Sequence, residues 1–119
     1  MKRDLDLVRA LLMKIEALPL NGRVEARQIE LPPWSSDEII YHCRLLMMSG
    51  YIVAIDTSSN GGANCLIRYL TPEGHDYLDI VRNDTIWAAV KSRLKDNAIS
   101  ATFDIVIAVG KAAIMKALG

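Results

Sequence analysis

The chain has 119 residues, 51% of them apolar, and only four prolines; this suits one hydrophobic core and argues against a two-domain enzyme. Fourteen basic and fourteen acidic side chains cancel to a formal charge of zero, which excludes nucleic-acid binding by bulk positive charge. The opening Met1-Lys2-Arg3-Asp4 has no apolar signal core behind it, and the longest apolar stretch, Ile105 to Leu118, is interrupted by Gly110, Lys111 and Lys116, so the expectation is a cytoplasmic protein without a membrane span.

From Asp4 to Leu18, Leu5, Val8, Leu12 and Ile15 follow the three-four spacing of an amphipathic helix, with Asp4 as its cap and Pro19 as its stop. Asn21-Gly22 predicts a turn, and Val24 to Leu31 alternates loosely enough for a short strand or an irregular arm. Ser35 and Glu38 form a capping box that opens a second helix. Its apolar face is Ile39, Ile40, Cys43, Leu46 and Met47, and Gly50 ends it in a left-handed cap. Tyr51 to Thr57 and Cys65 to Thr71 read as a hairpin, joined by a Ser, Asn and Gly-rich tip expected to be flexible.

Thr71-Pro72-Glu73 predicts the cap and first turn of a third helix reaching about Asn83. A fourth follows from about Asp84 to Lys95, with Ile86, Trp87, Val90 and Leu94 on one side. A fifth begins near Thr102 and carries Phe103, Val106, Ile107, Val109, Ile114 and Leu118. This last helix is apolar around nearly its full circumference, so it is either wholly buried in the monomer or shared across a dimer. A small monomer has little core in which to hide it, and the expectation is a homodimer with Phe103, Ile107, Ile114 and Leu118 at its interface and Gly110 allowing close approach.

The order of elements is that of a winged helix-turn-helix-like α+β domain, residues 1–83 with a two-stranded wing, extended by C-terminal helices over 84–119. The run Tyr41 to Ile52 resembles the recognition-helix exit of winged-helix regulators, and Leu70-Thr71-Pro72-Glu73-Gly74 resembles the phrase that follows their wing. Taken whole, the chain resembles an uncharacterised bacterial and phage-borne family, a domain of unknown function. The likeness runs through Met1 to Leu7, Glu38-Ile39 with Tyr41-His42, Leu70-Thr71 with Gly74-His75 and Leu78, and Asn83-Asp84-Thr85 before Trp87. That resemblance implies a winged-helix-like fold in a small stand-alone protein, often prophage-borne, and brings no catalytic residues. Val24 to Trp34 departs from the helix-turn-helix pattern, where a regular second helix is expected.

If the domain reads DNA, the Ser35 helix enters the major groove opposite its core face, with His42 on the flank. The candidate contacts are Ser36, Tyr41 and Arg44 on the helix and Asn60 and Arg68 on the wing. Charge is distributed against this. Residues 1–29 hold six basic and four acidic side chains (net +2), residues 30–84 three and eight (net −5), and residues 85–119 five and two (net +3). Basic termini folded beside the helix, Lys2, Arg3, Arg23 and Arg27 among them, would compensate. The alternative is a non-enzymatic adaptor that meets a protein partner through Tyr41, Leu45 and Met48.

Catalytic and metal readings are weaker. His75 and Asp79 at i,i+4 give two ligands of an incomplete site; His42 and Cys43, adjacent on a helix, point about 100° apart and do not face each other. Gly61-Gly62 leads into a strand rather than the helix N-terminus a phosphate loop needs. Cys43 and Cys65 read as reduced core thiols. No enzyme activity, cofactor or metal is expected.

Overall fold

In the computed structural model, which describes residues 1–99 and 101–119, the Asp4 carboxylate opens α1 (Leu5–Glu16), its Oδ1 accepting from the amides of Asp6 and Leu7 at 3.0 and 3.2 Å. Leu7, Val8, Leu11, Leu12 and Ile15 form the buried face of this helix. The uncertain arm resolves into a two-residue strand, β1 (Val24–Glu25), and a single 3-10 turn, Ala26–Gln28, in place of a full second helix. Helix α2 (Ser36–Met48) has the expected capping box, with Glu38 N–H donating to Ser35 Oγ at 3.2 Å and Ser35 N–H to Glu38 Oε1 at 3.1 Å. It ends at Gly50, whose φ of +75° is the left-handed conformation that glycine adopts without strain.

Strands β2 (Ile52–Asp56) and β3 (Cys65–Leu70) form the hairpin, and β1 pairs with β3 on the other side. The sheet is therefore three-stranded and antiparallel in the order β1-β3-β2, one strand more than the two-stranded wing expected. Its register breaks once: Val53 faces Tyr69 but Ala54 faces Ile67, so Arg68 is the extra residue of a β-bulge. Inward-facing Cys65 and Ile67 are fully buried and Leu70 nearly so.

The described residues divide into two compact units, Met1–His75 and Asp76–Gly119. Helix α3 (Pro72–Val81) opens on the Thr71 hydroxyl, which accepts from Gly74 N–H at 3.1 Å and donates to the Gly50 carbonyl at 2.5 Å. Gly74 is buried where a Cβ would collide with the backbone carbonyl of Tyr51, so only glycine admits this approach of helix to strand entry.

In the second unit, α4 (Asp84–Asp96) is capped by Asn83, and α5 (Phe103–Leu118) by Thr102. Trp87, Val90 and Leu94 of α4 and Phe103 and Val106 of α5 are buried, and Tyr77 meets Phe103 edge to face with ring centroids 5.5 Å apart. Gly110 does not face outward as an association surface would require: a Cβ there would strike the Ile80 side chain. Complete burial of α5 is not realised either. Ile107 and Ile114 are half-buried and Leu118 is exposed. No helix among the described residues is long and apolar enough to cross a membrane.

Candidate nucleic-acid interface

The N-terminal segment is fastened to α2 by a short chain of hydrogen bonds. Asp4 N–H donates to His42 Nε2 at 2.8 Å, and His42 Nδ1 lies 2.7 Å from the Glu38 carbonyl. Because Nε2 accepts, Nδ1 carries the proton, and the ring is a neutral imidazole with both nitrogens engaged. The Asp4 carboxylate, while capping α1, also accepts from the Trp34 indole at 2.9 Å. One residue thus joins the start of α1, the approach to α2 and the middle of α2. His42 is 1% exposed, so it is part of this joint rather than a flank of the helix's outer face. Lys2 and Arg3, which precede Asp4 directly, are exposed.

The outer face of α2 is mixed. Ser36 is exposed in its first turn and lines a cleft of about 300 Å³ together with Arg27. Tyr41 is half-buried, edge-on to the His42 ring at 5.6 Å. Arg44 turns toward the hairpin: its Nη2 donates to Ser58 Oγ at 2.6 Å and lies 3.9 Å from Asp56. The Asp56 carboxyl is held below its ordinary value first by hydrogen bonds from the Ser58 hydroxyl and amide, then by the Arg44 charge. Leu45 is half-buried, and Met48 stands 73% exposed at the end of the helix.

The hairpin tip is more ordered than its composition suggests. Arg27 reaches it from the 3-10 turn, donating through Nε to the Ala63 carbonyl at 3.0 Å and through Nη2 to the Gly61 carbonyl at 2.9 Å. Its own amide donates to Asn64 Oδ1 at 3.2 Å. Ser59 and Gly62 close the turn with paired backbone bonds of 3.0 and 2.9 Å, and Gly62 has a φ of +120°. Asn60 is exposed at this tip, beside the Arg27 anchor. Arg68 is elsewhere: it lines a separate cavity with Glu16 and His75, and Ser36, Tyr41, Arg44 and Asn60 have no part in that cavity. The structure thus gathers Arg44, Arg27 and Asn60 at the segment joining β2 to β3, while Arg68, in strand β3 of the same hairpin, lines the separate cavity.

The thiols are packing groups. Cys43 and Cys65 are free and fully buried, and burial, followed by the nearness of Cys65, pushes the Cys43 thiol up to about 12. Burial also raises Cys65, against a smaller opposing pull from Arg44. No group of three or more metal-ligating side chains occurs among the described residues.

Compared with known proteins, residues 2–100 match a family described as "Hypothetical protein (DUF2513)". The chain belongs to the DUF2513 family. An uncharacterized protein of Haemophilus influenzae is 36% identical over 122 residues, covering 99% of both chains. No solved structure matches. The sequence resemblance to an uncharacterised family is therefore met by DUF2513.

Proposed function

We propose that the N-terminal unit of this DUF2513 protein is a winged-helix module that binds double-stranded DNA as a regulatory protein, with α2 as the groove helix and the β2–β3 hairpin as the wing. The observation that carries this reading is the Asp4–His42 hydrogen bond, which fastens to α2 the residue that directly follows Lys2-Arg3 in the chain. On this reading the two cations ahead of Asp4 offset the acidic first turn of α2, Asp37 and Glu38, and cationic contacts to phosphate are the main sequence-independent source of affinity. Arg27 and Asn60 at the wing tip and Ser36 at the helix start complete a set of donors suited to phosphate oxygens. Binding rather than catalysis is the reading for the whole chain, since His42 and Cys43, the nearest thing to a base and a nucleophile, are committed to the joint and the core.

A dimer belongs to the same proposal. Ile107 and Ile114 are left half-open and Leu118 open on α5, and two copies would double the phosphate contacts that a single −5 segment limits. Light scattering at micromolar concentration returning one chain mass would count against it.

The test is fluorescence anisotropy with random-sequence duplex at low and moderate salt. Binding at low salt, a salt slope reduced by about two in a Lys2→Glu, Arg3→Glu double variant, and weakening in Arg44→Ala are expected. Absence of binding at low salt removes the DNA reading. The exposed Met48 would then favour a protein partner.

A further inference from the structure

A second site lies away from α2 and the wing tip, where the C-terminal end of α1 meets the loop after it and strand β3. It is a cavity of about 330 Å³, within the size range of small-molecule pockets. Ile15, Leu18 and Leu70 supply apolar wall, and Leu20 and Tyr69, 94% and 57% exposed, stand among its lining residues. The loop is a closed turn: Gly22 N–H donates to the Pro19 carbonyl at 2.7 Å, and Asn21 holds a φ of +66°. A Cβ on Gly22 would press on the same carbonyl at 2.7 Å, so this side of the cavity is set by backbone geometry.

Arg68 gives the cavity its chemistry. It is the extra residue of the β3 bulge, the device by which a strand re-aims one side chain. Its Nε is buried and meets no acceptor among the described residues. A buried guanidinium N–H without an acceptor is unfavourable until an anion supplies an oxygen to it, and the planar fork can take a carboxylate's second oxygen beside it. Glu16 also lines the cavity, but its carboxylate lies 3.9 Å from the His75 ring, which offsets its charge when that ring is protonated.

We propose that this cavity binds a small organic carboxylate with an apolar or aromatic body, its carboxylate on Arg68 and its body against Leu18, Leu20 and Tyr69. Simple aryl acids and free aromatic amino acids share that chemistry; the second would add an ammonium group near Glu16. The proposal is independent of DNA binding.

Titration of the full chain with phenylacetate, L-phenylalanine and the neutral phenylacetamide, followed by backbone amide shifts, tests it. Saturable shifts at Leu20 to Gly22 and Arg68 to Leu70 are expected with at least one of the two carboxylates, at a dissociation constant of about 0.1–1 mM. The tighter of the two identifies the source. Arg68→Gln weakens binding at least about tenfold, whereas Arg44→Gln leaves it unchanged. Equal binding of phenylacetamide, indifference to Arg68→Gln, or no saturable shift at these amides with either carboxylate overturns the proposal. If Arg68→Gln does not fold, the comparison of acid with amide on the natural chain decides alone.

Discussion

Replacing Asp4 by alanine tests the joint between α1 and α2. The variant loses the cap on two amides and the acceptor for the Trp34 indole, but keeps the backbone donor to His42. An Asp cap is worth about 0.5–2 kcal/mol, and the part-buried hydrogen bond to the indole adds roughly 1 kcal/mol, so the expected loss is about 1.5–3 kcal/mol. With a urea slope of about 1–3 kcal/mol/M for a small domain, the unfolding midpoint drops by about 0.5–3 M. Trp34→Phe alone costs about 1 kcal/mol and adds little on top of Asp4→Ala, because the same bond is already gone. The reasoning fails if Asp4→Ala shifts the midpoint no more than the exposed control Glu30→Ala, or if the Asp4 and Trp34 effects simply add.

Three further outcomes are expected. Gly74→Ala forces a Cβ into the Tyr51 carbonyl and lowers the thermal midpoint by an amount equivalent to about 1–3 kcal/mol, unlike the usual gain from Gly→Ala in a helix. With its value near 12, the native Cys43 thiol is roughly one part in ten thousand thiolate at about pH 8, so mass spectrometry after iodoacetamide shows it unmodified until denaturant is added. Asp56, held below the ordinary 3.8, contributes stability that is present above the normal carboxylate range and lost as the pH falls through its lowered native value. The deficit of Asp56→Asn against the natural chain in urea unfolding is therefore largest near neutrality and shrinks on acidification; a deficit constant with pH would contradict this.

Where local chemistry decides, the sequence is readable. Asp4, the Ser35-Glu38 box, Gly50, Thr71-Pro72 and Thr102 each set an element end through bonds reaching at most a few residues. The candidate surfaces depend on distant partners. Arg27 meets the hairpin tip across 34 to 37 residues, and His42 meets Asp4 across 38; no periodicity encodes such pairings. Arg68 lies in the second strand of the hairpin, and the bulge at that residue shifts the strand alternation in a way the sequence pattern does not mark. Short-range rules likewise give the glycine-rich tip as flexible, because they cannot see the arginine that fills the space a Gly62 Cβ would occupy.

The arginine clamp on that tip also bears on how the hairpin can engage anything. Two side-chain bonds to main-chain carbonyls and one amide bond from a neighbouring element hold the loop in the geometry it presents to solvent. A partner docking on it spends little of its interaction energy on immobilising a mobile loop, so complementarity there converts more fully into affinity. The same restraint narrows the range of shapes the tip can accommodate, since bending it to fit a different surface means breaking the three bonds from Arg27. The hairpin is thereby a template, suited to one surface curvature rather than to many.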